Sequence, residues 1–334
     1  MRLHENPELF RQSIRFTADQ IKIKAIFVEK DYWVTLALFE IFSGPHGADA
    51  LFKGGTSLSK CFHLVERFSE DIDLLLVRRE GETNNKLKSK LKAVSNAVSA
   101  KLPEVYVHGV THKRGMLRKT AHFFPSGFAG DFGQVRKELV LESTLFGSPE
   151  PALTCEITSL VGQMMHDRGQ SNLATEYGLV PFTVNTLDPS RTLCEKIMSL
   201  VRFSYSEDPM NDLKRKIRHV YDLHVLLQHD VYKQFVHSPD FDRQLIQVAR
   251  EDRIALRDSS VWLGFHPSEA LFFRNLTDVW KGLKLAYQND FRPMVYGKFP
   301  SADEVLGSMK LVRIRLNAVP WAFGHSDGVK DGEG

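Results

Sequence analysis

The spacing of hydrophobic positions changes period along the chain, and each change predicts an element. Residues 8–43 recur with helical spacing, the second half reading "VEKDYWVTLALFEIF", and Ser43, Gly44 and Pro45 supply the stop. The short apolar run "ALFK" at 50–53 then reads as a strand. A Gly-Gly turn follows, then a helix over residues 56–65 and the strand "DIDLLLV" at 71–77. Residues 85–101 return to helical spacing, with Leu87, Leu91, Val94 and Val98 on one side. Between 104 and 165 the helical period is lost, and "EVYVHGV", "KELVLEST" and "EITSLV" read as strands. From Pro189 onward the pattern is mainly helical, and residues 181–189 mark the expected boundary. The organisation predicted is an α/β unit with N-terminal helices over 1–180, a helical unit over 181–323, and a small, polar, flexible tail over 324–334.

Composition narrows the class. The 334 residues are 43% hydrophobic and 25% charged, the balance of a globular protein with room for one large or two ordinary domains. No run approaches the roughly 18 apolar residues of a membrane span, and "MRLHENPELF" has no apolar leader core, so a cytoplasmic protein without membrane contact is expected. Cys61, Cys155 and Cys194 are scattered and odd in number, which argues against a disulfide framework and a zinc site. Net charge is only +3, yet the basic residues clump in "KLKSKLK", "KRGMLRK" and "DLKRKIRH", each a solvated face or a contact for a polyanion.

The stretch "LFKGGTSLSKCFHLVERFSEDIDLLLV" at 51–77 carries the most chemistry. Side chains alternate along a strand, so Asp71 and Asp73 share a face while Ile72, Leu74 and Leu76 take the other. Two carboxylates so placed suit hard divalent cations such as Mg²⁺, and a two-metal site, with ions about 4 Å apart, calls for a third acid. Gly54 and Gly55 admit close approach of a ligand to backbone N–H groups, and a helix start behind them favours anions. Taken singly, Gly-Gly is an ordinary turn and D-x-D an ordinary strand end. Ser57 and Lys60 also form S-x-x-K, but no K-T-G or S-D-N partner accompanies it, and no Walker motif is present.

Together, "FKGGTSLSK…RFSEDIDLLL" preceded by "VEKDYW" resembles the AbiEii/AbiGii toxin family of nucleotidyltransferases, in the polymerase-beta-like superfamily and related to MenT-type toxins. The likeness extends to "RTLCEKIMSLVRF" at 191–203 and "RHVYDLHVLL" at 218–227, so it covers roughly residues 28–228. It implies an α/β (α+β) nucleotidyltransferase core with N-terminal helices and a helical C-terminal domain, with the active site in the cleft between them. It implies that Gly54, Gly55, Thr56 and Ser57 hold the phosphates of an NTP, with Lys60 and Arg67 nearby, and that Asp71 and Asp73 bind two Mg²⁺ ions. Lys196 would contact the triphosphate and Asp222 complete the site. Glu138 and Glu142 both qualify as third acid; Glu142, closing a short apolar strand as the family's pattern has it, is favoured. Many members read Arg-Asp where this chain has Arg218-His219.

The residues also admit plainer readings. Leu193, Ile197, Leu200 and Val201 form a core stripe beside which Lys196 is only a neighbour; Arg218 and Asp222 are spaced as a surface pair; and "EKDYW" at 29–33 reads as a packing and salt-bridge element. With the resemblance, the expected function is a toxin, neutralised by an antitoxin encoded beside it, that transfers NMP from an NTP to the 3′ end of tRNA and releases pyrophosphate. Lys214, Arg215, Lys216 and Arg218 are the expected acceptor contacts, with "KRGMLRK" (Lys113, Arg114, Arg118 and Lys119) as an opposing loop. The rivals are transfer to a protein hydroxyl or small molecule, and a non-catalytic nucleic-acid-binding regulator.

Overall fold

In a computed structural model the described residues are 1–113, 115–128 and 136–323, so Arg114 and the expected tail over 324–334 lie outside them. The chain is mixed α/β. Two compact units are formed: the first takes Met1–Thr192 and Asp290–Phe299, the second Leu193–Asn289 and the described residues from Pro300 onward. Among the described residues no helix is long and apolar enough to cross a membrane.

The first unit is built on seven strands: β1 (Ala50–Lys53), β2 (Ile72–Leu76), β3 (Glu104–Val105), β4 (Leu117–His122), β5 (Leu139–Thr144), β6 (Ala152–Ile157) and β7 (Phe182–Leu187). Their order is β3-β4-β5-β2-β1-β7-β6. At the centre β2 runs antiparallel to β1 and parallel to β5, and β1 runs parallel to β7. The outer pairs β3–β4, β4–β5 and β6–β7 are antiparallel. Around the sheet lie α1 (Pro7–Ile21), α2 (Ala25–Phe42), α3 (Gly54–Lys60), α4 (Asn84–Ser99), α5 (Leu160–Asp167) and α6 (Ser171–Glu176). The stripe predicted for α4 is its buried one, Leu87, Leu91, Val94 and Val98 all being in the core.

Several predicted elements are redrawn. The helix after the glycines starts at Gly54 and ends at Lys60, because His63 takes a left-handed φ of 51° and turns the chain out. "EVYVHGV" keeps only two strand residues, and "EITSLV" straddles the end of β6 and the start of α5. The basic segment expected as a loop runs into β4: Arg118 and Lys119 are strand residues paired with Ser143 and Glu142. The stretch 181–189 carries β7, whose Thr186 hydroxyl donates to the Phe52 carbonyl of β1 at 2.8 Å.

Helix α2 is buried on nearly every side, and its "EKDYW" ties down six separate places in the chain. Glu29 accepts from Ser126 Oγ and Gly127 N at 2.8 and 2.6 Å. Lys30 meets Glu70 at 2.5 Å with both side chains all but inaccessible, and donates to the Arg136 carbonyl. Asp31 pairs with Lys60 at 2.6 Å and accepts from Leu160 N at 2.8 Å. The Tyr32 hydroxyl bonds His4 Nδ1 at 2.7 Å, and Trp33 stacks on Phe124. The buried charges of Lys30 and Asp31 are thereby matched by opposite ones, and Glu29 by hydrogen-bond donors.

The second unit takes most of α7 (Pro189–Phe203), followed by α8 (Pro209–Arg215), α9 (Ile217–Leu226), α10 (Asp230–His237), α11 (Pro239–Leu256), α12 (Leu271–Arg274), α13 (Leu276–Leu285) and α14 (Ala302–Leu316). Helix α14 opens with a capping box between Ser301 and Glu304 and packs on α9, α10, α12 and α13. The predicted stripe Leu193, Ile197, Leu200 and Val201 is buried here.

Removing one member of the Lys30–Glu70 pair leaves its partner charged and buried. Lys30→Ala should cost about 3–5 kcal/mol in urea unfolding, and the double change Lys30→Met, Glu70→Leu far less. Equal losses in the two proteins would show that the pair carries no such coupling.

Candidate functional site

The acidic centre of the first unit follows from strand register. Asp73 lies opposite Lys53 of β1 and beside Glu142 of β5, and Glu142 lies opposite Lys119 of β4. Four neighbouring strands therefore place Lys53, Asp73, Glu142 and Lys119 in one row across the sheet, positive at both ends. Asp71 stands just before β2, separated from Asp73 by the wholly buried Ile72. Glu138 falls outside β5, so it is Glu142 that the structure brings beside Asp73.

The electrostatics of the row are strained in one direction. Burial pushes the Asp73 carboxyl up to about 7, and the Glu142 and Asp71 charges add to it, against opposition from Lys53 and Lys119. Burial works against the Lys119 charge too, but Glu142, Asp73 and Asp71 outweigh it and hold this ammonium above its ordinary value. Lys119 Nζ sits 2.8 Å from Glu142 Oε2. Crowded hard oxygen donors of this kind are the donor set that a divalent cation fits. Among the described residues, however, no three His, Cys, Asp or Glu side chains converge as a ready-made metal cage.

The glycine turn is built against this row. Gly54 has φ +81°, and a Cβ there would run into the Asp73 carboxylate; a Cβ on Gly55 would stand 2.5 Å from the Arg67 guanidinium. Gly54 requires glycine for its backbone conformation, whereas a side chain at Gly55 would have to displace the Arg67 guanidinium. The hydroxyls behind the turn face inward. Thr56 Oγ1 donates to the Asp71 carbonyl at 2.6 Å and lies 2.9 Å from Ser69 Oγ, and Ser57 Oγ donates to the Gly54 carbonyl at 2.9 Å. Thr56 thus fastens the start of α3 to the residue that opens the acidic row.

Lys60 closes α3, and Arg67 lies beside Gly55 at its start. Lys60 is bound to Asp31, to Thr35 Oγ1 at 2.8 Å and to the Thr158 carbonyl, which leaves the Ser57–Lys60 spacing without the contact a serine–lysine hydrolase needs. Arg67 is buried and donates to the Phe68 carbonyl at 2.9 Å. Both line a cavity of about 580 Å³ together with Asp31, Ser69 and Tyr296, whose phenol burial pushes up to about 12. Tyr296 belongs to the segment that returns to this unit. There Phe68 N donates to Met294 O at 2.8 Å, Tyr296 N to Glu66 O at 3.0 Å, and Arg67 bridges Val295.

In the second unit Lys196 and Asp222 meet at 2.7 Å, both almost fully buried, so Lys196 is more than a solvated neighbour of the core stripe. Lys214 and Arg215 occupy the last turn of α8 and Lys216 caps it. Arg215 bonds Asp212 at 3.2 Å, and Lys216 Nζ lies 4.7 Å from the centre of the Phe203 ring. Arg218 is half-buried in the first turn of α9. Lys53 and Lys119, to which the sequence alone assigns no catalytic place, are the residues the sheet adds to the acidic row. The charge complementarity of β4 with β5 was the available signal, and only the strand register reveals it.

The family described as nucleotidyl transferase AbiEii toxin, type IV toxin–antitoxin system, matches residues 36–308. Among solved structures, the nucleotidyltransferase toxin MenT4 from Mycobacterium tuberculosis H37Rv aligns with 90% of this chain and 99% of its own, at 15% identity and a TM-score of 0.41. No curated protein matches the chain. The family match begins within α2, passes through the glycine turn, the acidic row and the Lys196–Asp222 pair, and ends within α14. The chain belongs to the AbiEii family of nucleotidyl transferase toxins of type IV toxin–antitoxin systems.

Proposed function

We propose that this nucleotidyltransferase moves NMP from an NTP to the 3′ end of tRNA, with Mg²⁺ required and pyrophosphate released. The observation that carries the catalytic half is the register that sets Asp73 beside Glu142 with Gly54 packed on the Asp73 carboxylate. In this reading Asp71 and Asp73 hold Mg²⁺, and Glu142 serves a second ion. Bound there, Mg²⁺ would screen the phosphates and activate the attacking hydroxyl. The acceptor oxygen bonds the α-phosphorus, the bond to the pyrophosphate oxygen breaks, and the hydroxyl proton passes to solvent. The Gly54–Ser57 turn positions the phosphates, with Lys60 and Arg67 buttressing it from behind. Lys196, oriented by Asp222, is the cation proposed for the triphosphate. Membership in a type IV system implies a cognate antitoxin.

The acceptor half is supported by the cations at the end of α8. Lys214, Arg215 and Lys216 follow one another with Arg218 next but one, a density that suits a phosphate backbone read without regard to sequence. Incubation with each labelled NTP, Mg²⁺ and total RNA or protein tests the reading directly. Label in tRNA is expected, and label confined to protein would overturn the acceptor assignment. Neutralising Lys214, Arg215 and Lys216 together should weaken tRNA binding while NTP binding persists. Its dependence on salt should flatten by about one log–log unit for each phosphate that is no longer neutralised. Unchanged salt dependence would remove these residues from the acceptor surface.

Asp73→Asn should abolish transfer without harming the fold. An Asp73 carboxyl near 7 is about half protonated at neutrality in the metal-free protein. Metal binding therefore displaces a proton, and affinity for Mg²⁺ should fall as pH drops below about 7. The folded carboxyl holds its proton more tightly than an unfolded one at 3.8, so the metal-free protein should lose stability as pH rises from about 4 to about 7. Asp73→Asn should remove that slope and be at least as stable as wild type at pH 8. Lower stability there, in urea unfolding with chelator present, would contradict the charge crowding.

A further inference from the structure

The Lys119 ammonium is already seated on one of the carboxylates the reaction calls for. Nζ lies 2.8 Å from Glu142 Oε2, and both side chains retain about a third of their exposure, 34% and 36%. The contact is not a chance meeting of long side chains. Lys119 and Glu142 are cross-strand partners in the β4–β5 ladder, so the backbone itself brings their Cβ atoms together. Glu142 is in turn the register partner of Asp73 on β5–β2. A cation entering between Asp73 and Glu142 must share the Glu142 carboxylate with the ammonium or displace it.

Charge counting gives the consequence. With both aspartates ionised, as metal binding requires, Asp71, Asp73 and Glu142 bring three negative charges to the row, and Lys53 and Lys119 bring two positive ones. One divalent ion on the two aspartates takes the sum from −1 to +1. A second would take it to +3 unless anionic charge arrives with it. The triphosphate supplies that charge, and it also gives a displaced ammonium somewhere to go.

We propose that Lys119 is the resident counter-ion of Glu142: the nucleotide-free protein binds one divalent cation, on Asp71 and Asp73, and Lys119 withholds Glu142 from a second until nucleotide arrives. Lys119 is thus a positioning residue that orders the binding steps, metal ion first on the aspartates and a second with the triphosphate. The inference rests on the assignment of Asp71 and Asp73 as metal ligands, and the experiment separates the two.

The full-length protein, free of nucleotide, is titrated with Mn²⁺, and bound metal is counted by electron paramagnetic resonance. Wild type should hold one ion. Lys119→Met, similar in length but uncharged, should hold two, or bind its second about two- to fivefold more tightly than wild type, the scale set by a part-exposed ion pair. Lys119→Arg, which keeps the charge, should bind as wild type does. Glu142→Gln should still bind one ion, though less tightly because a negative charge beside Asp73 is lost, since Glu142 is no ligand in the resting protein; this count serves if Lys119→Met fails to fold. Two ions on the wild type, wild-type stoichiometry and affinity in Lys119→Met, or loss of the single ion in Glu142→Gln would each overturn the proposal. Asp73→Asn should lose the ion; if it binds Mn²⁺ normally, the aspartate assignment falls and the role of Lys119 falls with it, whereas failure of the Lys119 variants alone leaves that assignment standing.

Discussion

The geometry of this site depends on two adjacent residues of α2. Lys30 and Asp31 carry opposite charges into the interior, and each is met by an opposite charge from one end of the same connection: Glu70 just before β2, and Lys60 at the close of α3. Neighbouring residues on a helix point about 100° apart, so the two partners are held at separate, fixed places around α2. An unpaired charge at either position would cost several kcal/mol, which makes alternatives to this arrangement expensive. Glu70 immediately precedes Asp71, and Lys60 is the last residue of the helix that the glycine turn begins. The clamp therefore fixes both ends of the segment between the phosphate turn and the acidic row.

Within that frame the sheet does the finer placement. A slip of one residue between β2 and β5 would turn Glu142 away from Asp73 and drive a buried leucine out, so burial on the opposite face enforces the register of the acids. Gly54 closes the arrangement from the side of β1, where its backbone occupies space against Asp73 that any side chain would fill. The row is consequently assembled from four strands and one turn, with little freedom left to the backbone of any member.

What could be read from the sequence was mostly local. The glycine turn, the alternation of Asp71 and Asp73 about Ile72, the α4 stripe and the α7 stripe are properties of short windows, and the mixed α/β class and the family follow from their order. The role of "EKDYW" as a salt-bridge and packing element was legible as well, although its partners were not. Pairing between distant strands was hidden. Strand β4 lay inside a basic clump whose charges masked its alternation, and β7 lay in a short stretch between two prolines that looked like a boundary. The pairing of Lys119 with Glu142 and the choice of Glu142 over Glu138 both needed the β4–β5 and β2–β5 registers, which no local window contains.

The segment Asp290–Phe299 leaves the helical part of the chain to pair with residues 66–68, in the connection that carries Arg67 beside Gly55. Its consequence concerns synthesis. At about 5–20 residues per second, the ribosome delivers these partners on the order of ten seconds or more after it has delivered the connection they hold. For that interval Phe68 N and the Glu66 carbonyl lack the backbone groups they bond in the finished protein. A toxin assembled in this order keeps one wall of its phosphate turn unfinished until most of the polypeptide has been made, so a truncated or stalled product lacks that wall altogether.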